Sequence, residues 1–330
     1  MSAEAIPAAP RIPEAASDRL VAAVIAWYAE HERPLPWRDP ACSPWGVLVS
    51  EVMSHQTQIA RVVPRWEAFL ERWPTPAALA AATDADVIRA WDRLGYPRRA
   101  VALRRCAEAI VAEHGGEVPA DREALLALPG IGPYTSAAVA SFAFGLREPV
   151  VDTNVRRVIA RAVHGEAIAW APNARRDDEE MRALLPTDPD RAQRWNAGAM
   201  ELGALVCTAK APKCIACPIA ALCEWRGAGF PAATRSMRTQ PRFEGSERQR
   251  RGRIMALLRA HPGGVLADEF HDRLDLPPGR ADEPGPADGA GAADERALFD
   301  AALASLLRDG LVERSDARIH LAGDLGGERG

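Results

Sequence analysis

The stretch Leu128-Pro-Gly-Ile-Gly-Pro-Tyr-Thr-Ser136, followed by Pro149-Val-Val-Asp-Thr-Asn-Val-Arg-Arg157, decides the fold that this 330-residue sequence predicts. Gly130 and Gly132 interrupt an apolar helical pattern and indicate a tight turn, after which a new helix starts near Tyr134. A helix, a glycine hairpin and a second helix suit phosphate binding, because the turn exposes backbone N–H groups beside a positively polarised helix end. Contacts of this type hold a nucleic acid in register without reading its bases.

Asp152 lies between the strand-like pair Val150-Val151 and a helix predicted over Thr153–Val163. Asp favours this position because its carboxylate accepts hydrogen bonds from the free N–H groups of the first helical turn. The simplest interpretation of Asp152 is therefore a helix cap. A catalytic carboxylate is the second interpretation, and one residue can serve both purposes.

A second carboxylate, Glu51, lies inside the apolar helical pattern of residues 44–59. A carboxyl group in apolar surroundings holds its proton more tightly, because the charged form loses hydration. A general acid needs such a proton at neutral pH. From this helix alone, however, a Glu at the polar edge of a buried helix is the simpler interpretation.

These motifs carry a resemblance to a known family. Leu-Pro-Gly-Ile-Gly with the downstream Val-Asp-Thr-Asn-Val resembles the helix-hairpin-helix, Gly/Pro…Asp superfamily of DNA base-excision glycosylases, over roughly residues 18–228. Ser50-Glu-Val-Met53, Gln56-Thr-Gln58 and Leu94-Gly-Tyr96 are similar to the MutY-type adenine glycosylases within it. The resemblance implies that Glu51 is the catalytic acid, that Asp152 stabilises the charged sugar, and that Tyr134 and Asn154 orient these groups.

The resemblance also implies which residues contact DNA. Trp37 and Arg38 line the pocket for the extruded base, although a core Trp that anchors a loop is an equal alternative for Trp37. The resemblance further implies a gap-filling turn at Gln56, Thr57 and Gln58, and a stacking wedge on the opposite strand at Tyr96. The phosphate-binding hairpin carries Gly130 and Gly132.

Several positions depart from the family pattern. Ser54-His55 replaces a usual Leu-Gln, Pro97 replaces a second Tyr, and Ala197 replaces a Gln or Glu that reads the adenine edge. These departures leave the base and opposite-base preference open. Tyr134 stands where lyase-competent relatives carry a Schiff-base Lys, and a phenol cannot form an imine. The sequence therefore predicts a monofunctional glycosylase.

Four of the six cysteines follow the spacing Cys207-x6-Cys214-x2-Cys217-x5-Cys223. Four Cys ligands at close spacing suit a [4Fe–4S] cluster, and the spacing matches the cluster loop of the glycosylase family. Structural zinc is an alternative, but it usually takes two short Cys-x2–4-Cys pairs and only one is present. Disulfides are the other alternative and are disfavoured in a cytosolic protein.

The composition is that of a globular protein, with 48% hydrophobic residues and a formal net charge of −4. The charge gives no overall nucleic-acid signal, although arginines cluster locally while acids crowd the C-terminal third. No apolar run is long enough to span a bilayer, and the Ala- and Pro-rich start lacks the features of a signal peptide. We expect a cytoplasmic, nucleoid-associated protein.

The predicted fold class is all-α: a two-lobed helical helix-hairpin-helix glycosylase core with an iron–sulfur loop, plus a small C-terminal winged-helix-like unit. A Nudix-like domain, which checks for 8-oxoguanine in the best-studied family members, is not recognisable. The expected segments are a disordered lead-in at 1–16, an N-terminal helix packing with the cluster lobe at 17–36, a helical lobe with the hairpin at 37–148, a second lobe with the cysteine loop at 149–228, a linker at 229–244, and the winged-helix-like unit at 245–330 with a disordered insert at 280–294.

The function implied is hydrolysis of the N-glycosidic bond of adenine mispaired with 8-oxoguanine or guanine. The partner is double-stranded DNA that contains a mismatch or an oxidised guanine, and we expect a monomer. One alternative is a glycosylase for mismatched thymine or for oxidised pyrimidines, as in endonuclease III. A distant alternative is a non-enzymatic iron–sulfur DNA-binding protein, which would bind DNA without releasing a base.

Overall fold

A computed structural model describes residues 13–233, 242–276 and 292–324. Most of the expected lead-in, the centre of the expected linker and most of the expected insert lie outside these residues. The described chain divides into a first unit of residues 13–51, 119–127 and 131–233, and a second unit of residues 52–118, 128–130, 242–276 and 292–324.

The described residues are mostly helical, which confirms the predicted fold class. Every described helix is too short or too polar to cross a membrane. The helices are α1 Glu14–His31, α2 Pro44–Ser54, α3 Ile59–Arg72, α4 Pro76–Ala80, α5 Asp84–Trp91, α6 Arg98–His114, α7 Arg122–Ala127, α8 Pro133–Phe144, α9 Thr153–Ala162, α10 Ala174–Arg182, α11 Pro189–Leu205, α12 Glu224–Gly227, α13 Glu247–Ala260, α14 Phe270–Arg273 and α15 Ala292–Arg308.

One helix start differs from expectation. α1 begins at Glu14 behind Pro13, upstream of the expected segment start at residue 17, because Ala15 and Ala16 are good helix formers that extend it. α9 begins as expected at Thr153, and Asp152 is its N-cap.

The core of the first unit forms around α1, α9 and α11. Apolar side chains from these helices pack together, and Leu20, Val24, Val158, Trp195 and Leu202 are fully or almost fully buried. Gly198 of α11 permits the close approach of α1, because an added Cβ would lie 3.0 Å from Val24 Cγ1. The hairpin helix α8 packs through Ala137 and Ala138, with Val150 and Met200 beside them.

Residues 37–51 and 131–148, which we assigned to the first helical lobe, group with the residues that hold the cysteines. The reason is long-range pairing: α8 packs on α11, and α11 also supplies the carboxylate that binds the segment after α1. A local pattern in the sequence does not contain either contact. The lobe boundaries stay a prediction.

The second unit joins helices α3–α6 to the C-terminal residues. There, α13, α14 and α15 carry a three-stranded antiparallel sheet of β1 Val265–Leu266, β2 Val312–Ser315 and β3 Arg318–Leu321, with β3 central. This arrangement confirms the winged-helix-like prediction and adds β1. Ala85, Ile88 and Val101 of α5 and α6 enter the same core.

Candidate active site

Glu51 is a buried carboxyl group at the centre of the first unit. Its side chain lies on the last turns of α2 and is only 7% exposed. The hydroxyl of Tyr134, from the first turn of α8, donates a hydrogen bond of 2.9 Å to Glu51 Oε2. The pKa of Glu51 is raised to about 7, chiefly by burial. The charge of Asp152 also raises it, whereas the hydrogen bond from Tyr134 and the charge of Arg38 lower it. The predicted apolar setting of this carboxylate is confirmed.

Asp152 caps α9, as the sequence predicted. Its Oδ1 accepts the backbone N–H of Val155 at 2.7 Å, and its Oδ2 accepts the side-chain N–H of Asn154 at 2.6 Å. Burial raises the pKa of Asp152, whereas these donors and the Arg157 guanidinium oppose that rise. The side chain stays partly exposed, so Glu51 and Asp152 are neighbouring carboxylates in different surroundings.

The N-terminus of α9 is fixed by α11 and by the cysteine loop. Arg157 donates to Asn154 Oδ1 at 2.8 Å, to the Gly203 carbonyl at 2.6 Å and to the Cys207 carbonyl at 2.6 Å. Asn196, completely buried on α11, donates to the Glu148 carbonyl and accepts the Val150 N–H. The segment that presents Asp152 is therefore held on both sides.

Arg38 lies in a 3-10 turn with Trp37, and a carboxylate that sequence reasoning missed holds it. Glu201 of α11 is 1% exposed and accepts Arg38 Nη2 at 3.0 Å. It also accepts Arg33 Nε at 2.6 Å and Arg33 Nη2 at 2.8 Å. These bonds place a positive charge close enough to Glu51 to lower its pKa. Trp37 is partly buried beside Arg38.

The remaining predicted DNA contacts fall largely in the second unit. Gln56, Thr57 and Gln58 form the turn between α2 and α3, and the side chains of Gln56 and Gln58 are exposed. Tyr96, before α6, is 45% exposed. Gly130 has φ 76°, and an added Cβ would lie 2.8 Å from Ala102 Cβ, so only glycine fits this turn. Gly132 belongs to the first unit as the N-cap of α8.

The four predicted cysteine ligands line one cavity in the first unit. Each is partly buried, and none forms a disulfide. Arg161 closes the cavity wall: its Nη1 donates to Cys207 Sγ at 3.4 Å and to the Thr208 carbonyl at 2.8 Å. The structure thus brings Cys207, Cys214, Cys217 and Cys223 together.

Comparison with known proteins gives the family. Residues 49–183, which include both carboxylates, match the HhH-GPD superfamily base excision DNA repair protein. An adenine DNA glycosylase of Mycolicibacterium smegmatis is 48% identical over 308 residues, which is 93% of this chain and 97% of that protein. The chain belongs to the adenine DNA glycosylase family of the HhH-GPD superfamily.

Glycosylases that are named for other bases match a shorter part of this chain. A thymine/uracil-DNA glycosylase of Pyrobaculum aerophilum is 39% identical over 201 residues, 60% of this chain and 87% of that protein. The solved structure of a thermostable thymine-DNA glycosylase matches with a TM-score of 0.60 at 27% identity, covering 65% of this chain and 98% of that chain. The helical glycosylase fold is therefore shared across base specificities.

In this adenine glycosylase family member, sequence reasoning missed Arg33, Arg157 and Glu201 as parts of the site. Glu201 had one available signal, because a carboxylate within the apolar Met200-Glu-Leu-Gly203 run must find a partner when buried. The two arginines had none, because Arg33 binds Glu201, 168 positions away, and Arg157 binds carbonyls 46 and 50 positions away. Chemically, the site offers a carboxyl group with a raised pKa close to a capped carboxylate, which suits cleavage of a glycosidic bond.

Proposed function

We propose that this protein hydrolyses the N-glycosidic bond of adenine mispaired with 8-oxoguanine or guanine in duplex DNA. The observation that carries the proposal is the pair of carboxylates: Glu51, buried with a pKa of about 7, and Asp152, capped at a helix end. Environments that separate the pKa values of two neighbouring carboxylates assign one as acid and the other as anion. The similarity to an adenine DNA glycosylase over 93% of the chain supports adenine as the base.

The reaction begins with an extruded adenine, at a cost of roughly a few kcal/mol for unpairing and unstacking. The protonated Glu51 gives its proton to adenine N7, and the C1′–N9 bond breaks with its electron pair going to the base. Asp152 then stabilises the oxocarbenium-like sugar. Water attacks C1′ and loses a proton to the Glu51 carboxylate, which leaves free adenine, an abasic site and a protonated Glu51.

Tyr134 and Asn154 position these two carboxylates. The Tyr134 hydroxyl contacts Glu51 and the Asn154 amide contacts Asp152, each by one hydrogen bond. A covalent lyase step would need an amine, and the sequence holds just two lysines, Lys210 and Lys213, both in the cysteine loop. We therefore propose base release without strand cleavage.

The cysteine cavity fits a [4Fe–4S] cluster, which we propose as the cofactor. In the described residues, no group of three or more His, Cys, Asp or Glu side chains is arranged to hold a single metal ion. A cluster takes one thiolate on each of four irons, so its ligands lie farther apart than the four ligands of one zinc ion. When bound, the cluster would order the loop between Cys207 and Cys223; the reaction steps above do not pass through it.

The cofactor proposal has a direct chemical test. Protein purified without air should contain iron and acid-labile sulfide in equal amounts, and Cys217→Ala should lose both. Zinc without sulfide would contradict the proposal.

The function is tested by base release from duplexes that differ in one base pair. Duplexes with adenine opposite 8-oxoguanine, guanine or cytosine are incubated with the protein, which we propose to be a monomer. Alkali then cleaves any abasic site. We expect adenine release opposite 8-oxoguanine and guanine, with strand breaks only after alkali, and no adduct after borohydride. A protein that binds these duplexes and releases no adenine would contradict the proposal.

A second candidate is release of mismatched thymine. Two observations favour testing it: the 39% identity to a thymine/uracil-DNA glycosylase, and Ala197, a side chain too small to reach a base edge. Thymine opposite guanine belongs in the same assay. Thymine release without adenine release would replace the primary proposal by this one.

Asp152→Asn separates the two functions of this residue. Asn is about as good an N-cap as Asp, so the melting temperature and DNA affinity should change little. Loss of the negative charge beside the developing oxocarbenium should lower the single-turnover rate by about 10²- to 10³-fold or more. Retained excision would contradict the assigned role.

A further inference from the structure

Two neighbouring loops of the second unit hold side chains in a rare backbone conformation. The first is the Gln56 loop (residues 55–58), where Gln56 has φ 53°. The second is the Tyr96 loop (residues 92–96), where Asp92 has φ 46° and Tyr96 has φ 49°. An L-residue in the left-handed region costs roughly 1–2 kcal/mol, so such residues persist only where their surroundings hold them.

Arg99, in the first turn of α6, holds both loops with one guanidinium group. Its Nη1 donates to the Val52 carbonyl at 2.8 Å and to the His55 carbonyl at 2.6 Å. Its Nη2 donates to Thr57 Oγ1 at 3.1 Å and to the Gly95 carbonyl at 3.0 Å. One nitrogen thus contacts the end of α2 and the Gln56 loop, and the other joins the two loops.

The chemistry of Arg99 is that of a clamp and not of an ion pair. Its hydrogen-bond partners in the described part of the chain are carbonyl and hydroxyl oxygens, and none is a carboxylate. Burial lowers the pKa of Arg99 to about 10, so the group stays charged at neutral pH. A planar guanidinium with donors fixed in a fork suits this task, because a lysine ammonium cannot reach carbonyls on two loops at once.

The clamp leaves the tips of both loops free to meet a ligand. Gln56 and Tyr96 are exposed, and the Arg99 guanidinium lies 5.5 Å from the centre of the Tyr96 ring. An exposed aromatic ring stacks on nucleobases, and a nearby amide can form hydrogen bonds with base edges. Thr57 reinforces the pair of loops, because its hydroxyl also lies 3.2 Å from the Leu94 carbonyl.

We propose that Arg99 is a positioning residue that makes the Gln56 and Tyr96 loops one rigid surface for the bases around the mispair. The proposal rests on the proposed function, because the duplex is its ligand. Gln56 and Tyr96 then enter the duplex in fixed register, and the opposite base is read by the pair of side chains together. Loosening the clamp should impair unstacking and discrimination and leave the acid chemistry of Glu51 unchanged.

The test uses Arg99→Lys, with Arg105→Lys as the matched control on an exposed position of the same helix. Each is made in full-length protein that carries Glu51→Gln, so that no base is lost during the measurement. The probe is a duplex with adenine opposite guanine and 2-aminopurine beside the mispair. Its fluorescence at saturating protein reports unstacking, whether or not the wild type excises adenine.

We expect Arg99→Lys to lose at least half of the fluorescence rise and Arg105→Lys to keep it. In the Glu51-containing protein, Arg99→Lys should also lower the ratio of excision opposite guanine to excision opposite cytosine by about tenfold, because small misplacements are costly. The pH profile of excision should not move. A folded Arg99→Lys protein with the fluorescence rise and ratio of Arg105→Lys would overturn the proposal.

Thr57→Val keeps the test decisive if Arg99→Lys does not fold. This substitution keeps the shape of the side chain and removes the hydroxyl that Arg99 contacts, so the fluorescence rise should fall in the same direction. A Thr57→Val protein equal to Arg105→Lys would overturn the clamp. A wild type that gives the fluorescence rise without releasing adenine would contradict the proposed function and leave the clamp supported.

Discussion

At the residue scale, burial of Glu51 raises its pKa and lowers the stability of the fold at neutral pH. Its pKa rises from 4.5 to about 7 on folding, because the charged form loses hydration. A raised carboxyl pKa destabilises the fold as pH increases: below 4.5 both states are protonated, and above 7 the folded state must ionise a buried group. The shift corresponds to a loss of about 3 kcal/mol over that range.

Glu51→Gln should remove this pH-dependent loss. The free energy of unfolding of Glu51→Gln minus that of the wild type should increase by about 3 kcal/mol between about pH 4.5 and pH 8. Excision should be abolished. Urea unfolding of both proteins at several pH values measures the difference. Parallel stability profiles for the two proteins would show that Glu51 is not a buried acid.

Tyr134 tunes the same acid through its hydrogen bond. The phenol donates to the Glu51 carboxylate and so stabilises its charged form, which lowers the pKa of Glu51. Tyr134→Phe should therefore raise that pKa and move the alkaline limb of the single-turnover rate upward, by about one pH unit. The test is the position of the limb and not the rate itself. A limb that stays in place or moves down would contradict this reading of the contact.

The sequence predicted the local parts of this site and missed the distant ones. The cap at Asp152 and the apolar setting of Glu51 follow from neighbouring residues, which a single pattern contains. Arg38 and Glu201 lie 163 positions apart, and Arg157 meets a carbonyl 50 positions away. Such pairs form only when helices pack, so no local spacing encodes them. The specific roles given to Trp37, Gln56 and Tyr96 remain predictions.

At the element scale, the N-terminus of α9 packs directly against the backbone of α11 at Gly203. An added Cβ on Gly203 would lie 2.7 Å from Asn154 Cβ and 2.8 Å from the Asn154 carbonyl oxygen. Real side chains do not approach a backbone this closely, so the two helices would have to separate. Gly203 is therefore needed to keep Asn154 in place, and Asn154 in turn contacts Asp152.

Gly203→Ala should displace Asn154 and Asp152 together. We expect a loss of stability of about 1–3 kcal/mol from overpacking, and a fall in the single-turnover rate that exceeds the loss of folded protein. Gly252→Ala is the control: it lies exposed on α13 with open space at its Cβ, so it should stabilise by about 0.5–1 kcal/mol and leave the rate unchanged. Equal rates for the two variants would contradict the close-packing argument.

At the scale of the whole molecule, the C-terminal residues complete a core that begins two hundred positions earlier. Ala85 and Ile88 are completely buried in one cluster with Ile254, Phe299 and Leu321. The sequence indicated the strands and helices of this region but not their partner, because a winged-helix-like pattern is self-sufficient in isolation. Removing residues 242–324 would leave these faces of α5 and α6 in water.

One ion pair tests how strongly the C-terminal residues hold the second unit together. Asp324 follows β3 and accepts Arg89 Nη2 of α5 at 2.6 Å and 2.5 Å through its two oxygens. Asp324→Ala would leave a largely buried guanidinium without its carboxylate, so we expect a loss of about 1–3 kcal/mol in urea unfolding. Asp300→Ala on α15 removes only an exposed pair with His271 of α14, and it should cost less than about 1 kcal/mol. Equal costs for the two substitutions would mean that the contact between α5 and the C-terminal residues contributes little to stability. Truncation at residue 241 should then leave a folded helical core. A larger cost for Asp324→Ala predicts instead that the truncated protein aggregates, because the apolar face of α5 stays uncovered.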